Sequence, residues 1–322
     1  AVRQGHRKEM PALAEWLGAP VLSSANGRGT IPTDHPLFVG THTYLPACRE
    51  LLEGADLVLA IGTRFQAVAT WYWSLPMPAL VHIDVDAAAF HRNYRAEVAV
   101  QGDAALAARW LLQNGRAPAI DPGHLAEADR AREGIDAAQL ARIGPDHAAI
   151  CESMDRHLPT GRNLVCDATM AANTWGLFRL PVREPRSLAY STSLAIGPAL
   201  PLGIGAALGS GRKTVIVHGD GGVMLNLGEL AVAAESGAPV IVLVFDDHGY
   251  GVLRQLQSAA GMPHAGVDLC TPDFAALGNA MGVPSVRVAD AMAFDAAFAD
   301  AAAAEGPRLI EIDMRGLAPL SL

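Results

Sequence analysis

Two short clusters carry the residue types that could manage a charged ligand: Gly219-Asp220-Gly221-Gly222, and Asp246-Asp247-His248-Gly249-Tyr250-Gly251. A carboxylate from each cluster, with a loop carbonyl, makes an all-oxygen site for a hard divalent ion such as Mg²⁺, which keeps phosphate oxygens in its shell. The backbone N–H groups of Gly221 and Gly222 are placed to receive those phosphates if a helix starts there. Glycine at these positions also permits a tight turn and a close approach of ligand to backbone. A plainer reading stands beside this one. Strand, glycine turn and helix recur throughout α/β proteins, and an Asp in such a turn is often only a helix cap.

The flanking sequence supplies the elements that must hold these clusters. Thr214 to His218 is a short β-branched run that predicts a buried parallel strand. From about Leu225 to Glu235 the pattern places Leu227, Leu230, Ala231 and Ala234 on one helix face, and Gly237-Ala238-Pro239 ends the helix. Val240 to Phe245 then predicts a second strand. The result is a right-handed βαβ unit whose two strands end on the same sheet edge, where open α/β sheets bind ligands.

The chain is long enough, at 322 residues, for two ordinary domains. Its 51% hydrophobic and 18% charged residues are those of a globular protein. A formal net charge of −9 without a basic run argues against nucleic acid or an anionic membrane surface as partner. No stretch approaches the apolar length of a membrane span and no signal-peptide core opens the chain, so a cytoplasmic protein is expected. Cys48, Cys151, Cys166 and Cys270 form no CxxC pair, which indicates neither a zinc site nor a disulfide framework.

Taken in order, the chain predicts a helix from Lys8 to Leu17, strands at 19–23, 57–61 and 80–85, and helices near 45–52 and 104–112. Alternation of this kind argues for a parallel sheet with helices on its faces, a first α/β domain over residues 1–113. Residues 114–145 mix Pro, Gly and charge and read as a linker carrying some helix. A second α/β domain covers 146–322. It opens with a helix to His157, a strand at Asn163–Cys166, and a polar loop at Asp167 to Thr169. Asp167 or Thr169 could cap the helix that follows. In 193–209, Gly203, Gly205 and Gly209 suggest a dinucleotide fingerprint, but no strand precedes them and Pro198 and Pro201 stand where it would have to be. Small residues at that density fit a helix packed closely on a neighbour. The fold class is α/β, with two doubly wound parallel-sheet domains.

GDG at 219–221, Glu229-Leu230-Ala231, and DDHGYG at 246–251 together resemble the thiamin-diphosphate motif of the 2-oxo-acid decarboxylase and acetolactate synthase superfamily. Segments 18–40, 55–65 and 80–104 resemble that superfamily's central domain, whose first strand normally lies just ahead of the point where Ala1 stands and is expected to be missing here. The resemblance implies Asp220, Asp247 and the Gly249 carbonyl as Mg²⁺ ligands, although the family commonly has Asn at position 247. It implies Gly219, Gly221, Gly222, Tyr250 and the Asp167–Thr169 loop near the diphosphate. Ile196 would be the bulky residue beneath the cofactor, while the family usually has Gly at the position of Leu194. Thr63-Arg64-Phe65 matches a flavin-associated segment, but Gln66-Ala67-Val68 departs from it, so FAD is not expected. The implied activity is decarboxylation or carboligation of a 2-oxo acid, in a homodimer or tetramer. A Glu from a pyrimidine-binding domain or chain, which nothing in the sequence resembles, would complete the site, so this chain alone is expected to be inactive. A cofactor-binding partner or regulatory subunit without its own catalysis is the alternative.

Overall fold

A computed structural model describes residues 8–41, 43, 45–158, 160–191 and 193–321. The expected start of the first domain, residues 1–7, lies outside the described residues. Two compact units are present. One gathers the chain up to Ala138 together with Val182–Arg186, and the other holds Gln139–Pro181 and the chain from Ser187 onward.

In the first unit, α1 (Glu9–Leu17) leads to β1 (Val21–Leu22), which pairs in parallel with β2 (Phe38–Gly40). After α2 (Pro46–Glu53), the strands β3 (Leu57–Ile61), β4 (Ala79–Asp84) and β5 (Val98–Gln101) form a separate parallel sheet, followed by α3 (Ala104–Asn114). Helices α1 and α3 meet over a core of Met10, Leu13, Ala14, Ala104 and Ala108, against which Val21, Leu59 and Ile61 pack. Strands β2 and β5 are absent from the sequence-based list. The first is buried but only three residues long, and the second is exposed throughout, so neither shows a long buried apolar run.

Much of the linker stretch is helix. A helical segment spans Pro122–His157 (α4), broken where Gly144 takes φ 71° and Pro145 restarts it. Proline suits such a restart, because its missing N–H falls among the unpaired donors of a first turn. Ala128, Ala131 and Ile135 of α4 pack against Val39, Cys48 and Leu51, which joins this stretch to the first unit's core.

The second unit is built on one six-stranded parallel sheet. Its strands are β6 (Asn163–Cys166), β7 (Leu188–Tyr190), β8 (Thr214–Gly219), β9 (Val240–Asp246), β10 (Ser285–Val288) and β11 (Arg308–Asp313), ordered β10-β11-β9-β8-β6-β7. Every residue of β6, β8 and β9 is buried, as expected of parallel strands covered on both faces. Between β7 and β8, α5 (Ala199–Ser210) lies so close to the sheet that a Cβ on Gly203 would stand 2.3 Å from Ile216 Cδ1. That contact is the reason for small residues there.

The βαβ unit differs from expectation at its helix. A single helical turn, α6 (Asp220–Val223), follows β8 directly, and α7 begins only at Glu229 and runs to Ser236. Asn226 interrupts the run by donating its side-chain amide to the Gly197 carbonyl at 3.0 Å. The later start shifts the buried face to Leu230 and Ala233, leaving Ala231 exposed. Beyond β9, α8 (Gly251–Ala259), α9 (Phe274–Ala280) and α10 (Ala291–Ala303) complete the unit, with Phe294 and Phe298 of α10 stacked in the core. No helix among the described residues is long and apolar enough to cross a membrane.

Candidate functional site

The strand order fixes where a ligand can enter. The chain leaves β6 toward β7 on one side and leaves β8 toward β9 on the other, so the loops diverge between β6 and β8. In open α/β sheets the crevice at the carboxyl ends of such strands is the usual binding position. Asp167 stands there after β6, Asp220 after β8, and Asp246 and Asp247 at the end of β9.

The two acidic loops are tied together directly. Asp220 is buried, and its Oδ2 accepts a hydrogen bond from the Gly249 amide at 2.7 Å. Burial, and then the charge of Asp247, push the Asp220 carboxyl up to about 8, while the Gly221 amide works against that rise. Burial raises Asp247 as well, opposed by the nearby Arg254 guanidinium. Two adjacent, partly desolvated carboxylates of like charge are a costly arrangement unless a cation or a proton joins them.

Asp246 has a different place. Its Oδ1 accepts from the His248 amide at 3.0 Å and from the Thr271 hydroxyl at 3.2 Å, and that hydroxyl lies 2.6 Å from His248 Nδ1. These bonds shape the turn, in which His248 takes φ 56°; the charges of both Asp247 and Asp246 act on Asp220.

Asp167 proves to be a tether, although it does not cap its own helix. Its buried carboxylate accepts from the Gly197 amide at 2.8 and 3.0 Å and from Ala199 at 3.4 Å, which fixes the start of α5. It also lies 3.3 Å from Nδ1 of the fully buried His218, whose pKa burial lowers. Gly222 packs into this group: a Cβ there would lie 2.4 Å from Asp167 Oδ2 and 3.1 Å from the His218 ring. Thr169 presses on Gly219 and Tyr250 on Gly221 in the same manner. The structure therefore gathers Asp167, Thr169, Gly219, Asp220, Gly221, Gly222, Asp247, Gly249 and Tyr250 at one sheet edge. Ile196 adjoins this group through Gly197 and is 37% exposed. Leu194 takes φ 58°, the left-handed region that glycine prefers, which gives a backbone reason for the glycine expected at that position.

Sequence reasoning missed His218, Asn226, Arg254 and Thr271. A His directly before GDG and an Arg eight residues after Asp246 are visible, but only the fold shows that they reach these loops.

The donor set can be tested against a divalent metal. Among the described residues, no group of three or more His, Cys, Asp or Glu side chains could hold one. The Asp220 and Asp247 carboxylates do converge, and they repel each other. That fits an ion such as Mg²⁺, which is commonly held by one or two carboxylates plus phosphate and water oxygens.

Two family models match the chain. Residues 168–312 match the thiamine pyrophosphate enzyme C-terminal TPP binding domain, and residues 1–111 match the thiamine pyrophosphate enzyme central domain. A probable 2-ketoarginine decarboxylase of Pseudomonas aeruginosa is 34% identical over 278 residues, which is 85% of this chain and 49% of that protein. A probable acetolactate synthase large subunit of Methanocaldococcus jannaschii is 30% identical, over 88% of this chain and 51% of that protein. A benzoylformate decarboxylase of P. aeruginosa is 29% identical, over 95% and 58%. The chain thus spans about half the length of the curated relatives it matches. With two units of wholly parallel sheets, each matched by its own model, the chain belongs to the thiamine pyrophosphate enzyme family.

Proposed function

We propose that this chain carries the metal and diphosphate half of a thiamin-diphosphate-dependent enzyme that decarboxylates, or joins through carboligation, small 2-oxo acids. The observation that carries this reading is the convergence of the Asp220 and Asp247 loops, locked by the bond from the Gly249 amide to Asp220. Asp220, Asp247 and the Gly249 carbonyl would hold Mg²⁺, and the backbone of Gly221 and Gly222 would face the diphosphate. Ile196 and the tethered segment before α5 would support the body of the cofactor. When bound, thiamin diphosphate supplies the nucleophilic carbon and the electron sink of the reaction. The protein's residues anchor and orient it, and the paired carboxylates exchange their mutual repulsion for a shared cation.

The relatives' names divide between decarboxylase and synthase, and we leave the 2-oxo acid at the level of its class. A pyrimidine-binding domain or chain, contributing the Glu that acts on the pyrimidine ring, would complete the site in a homo-oligomer. The test is an assay of the 322-residue chain with Mg²⁺, thiamin diphosphate and a panel of 2-oxo acids, alone and mixed with a separately produced pyrimidine-binding domain of a relative. Turnover only on mixing supports the half-site reading. Substantial turnover by the chain alone contradicts it, and cofactor binding without turnover under every pairing favours a non-catalytic partner.

A further inference from the structure

The loop that carries Asp247 and Gly249 is held by one side chain from outside it. Arg254, in the first turns of α8, donates from Nη1 to the Asp247 carbonyl at 2.9 Å and from Nη2 to the His248 carbonyl at 2.5 Å. Its Nε donates to Asp268 Oδ1 at 2.8 Å, and Nη1 stands 3.5 Å from the Asp247 carboxylate. The same planar group therefore binds two successive carbonyls and two carboxylates. The stretch around Asp268 closes the other side: the Leu269 amide also donates to the His248 carbonyl, and the Tyr250 amide donates to Val267. Gly249 is needed for this arrangement, because a Cβ there would lie 2.2 Å from both Arg254 Nη2 and the Val267 carbonyl.

We propose that Arg254 is a positioning residue of the metal site, whose fork of donors fixes the 247–249 loop and so sets a preference for Mg²⁺ over Ca²⁺. The inference rests on the metal and diphosphate reading above. Two carbonyls held side by side keep the left-handed turn at His248 from relaxing, and that turn decides where the Asp247 carboxylate and the Gly249 carbonyl point. Mg²⁺ demands near-octahedral geometry at about 2.0–2.1 Å, whereas Ca²⁺ accepts six to eight oxygens at about 2.3–2.6 Å. A rigid loop favours the first ion, and a loosened loop penalises it selectively. Lysine cannot replace the arginine in this role. An ammonium brings the same charge near Asp247 and Asp268 but lacks the planar fork that reaches both carbonyls at once.

The experiment is calorimetric titration of thiamin diphosphate into the full 322-residue chain with Mg²⁺ and, separately, with Ca²⁺. The wild type is compared with Arg254→Lys, Arg254→Gln and Asp268→Ala, with urea unfolding run in parallel. Both Arg254 variants are expected to lose at least tenfold in Mg²⁺-supported affinity and less than threefold with Ca²⁺. Asp268 is 75% exposed and its carboxylate steadies Nε, so Asp268→Ala should move the ion ratio the same way by a smaller factor without affecting folding. Retention of the wild-type ratio in Arg254→Lys shows that charge alone matters and overturns the proposal. So does an equal loss with both ions, or an unmoved ratio in Asp268→Ala where the Arg254 variants fail to fold. A wild-type chain that binds cofactor with neither ion removes the underlying metal reading, a result distinct from any of these.

Discussion

The amide of Gly249 donates to Asp220 Oδ2 at 2.7 Å, so the loop after β9 is bonded to the turn after β8 across the edge of the sheet. Residues 29 positions apart in sequence thereby become one site. The bond uses one oxygen of a buried carboxylate that also feels the charge of Asp247.

The environment of Gly222 gives a first prediction. Gly222→Ala should destabilise the chain by about 1–3 kcal/mol through overpacking against Asp167 and His218, and it should weaken cofactor binding by displacing the turn. Gly205→Ala is the contrast: beyond the helix's own backbone no atom lies within 4 Å of its added Cβ on the exposed face of α5, so it should stabilise by roughly 0.5–1 kcal/mol. Urea midpoints of both variants measure this; equal shifts in one direction would show that the packing of Gly222 is unimportant.

A second prediction concerns Asp247. Replacing it with Asn keeps an oxygen donor and removes one charge from a crowded pair, so metal-supported cofactor affinity should stay within roughly tenfold, about 1.4 kcal/mol, of wild type. Complete loss of binding in Asp247→Asn would assign this carboxylate another role.

His147 provides a pH dependence. The indole N–H of Trp175 can only donate, so His147 Nδ1, 3.2 Å away, accepts from it and the ring is neutral. Burial lowers its pKa to about 4 from 6.5, against the opposite pull of Asp146. The unfolded ring takes up a proton near pH 6.5 and the folded ring only near 4. The stabilisation is therefore present above 6.5 and is lost as pH falls from 6.5 toward 4, a change of about 3 kcal/mol. Unfolding free energies at pH 7, 5.5 and 4.5 should fall along this course in the wild type and less steeply in His147→Gln. Parallel slopes would show that His147 does not titrate differently in the two states.

Much of this site could be read before the fold was known, because its chemistry is local. Asp220 and Asp247 follow β-branched runs and stand in glycine-bearing loops, and strand identity, sheet edge and donor type all follow from that pattern. What escaped the sequence depends on partners distant along the chain. Asp167 tethers the start of α5, some 30 residues on, because the β6 and β8 ends are neighbours only in the sheet. The pattern of Leu227, Leu230, Ala231 and Ala234 predicts a helix from about Leu225, whereas Asn226 instead bonds Gly197 and α7 starts at Glu229. Arg254 carries no signal of its own: an arginine in the first turns of a surface helix is ordinary until its carbonyl partners are known.

In the proposed function, Asp220 and Asp247 hold a divalent ion which in turn holds the diphosphate. The most direct test of this arrangement is calorimetric titration of thiamin diphosphate into the wild-type chain with Mg²⁺, the same titration with excess EDTA, and both repeated with Asp220→Ala. Binding by the wild type should depend on Mg²⁺ and vanish with EDTA and with Asp220→Ala, while the variant keeps a cooperative urea transition. Equal affinity for the cofactor with and without metal, or in wild type and Asp220→Ala, would contradict it.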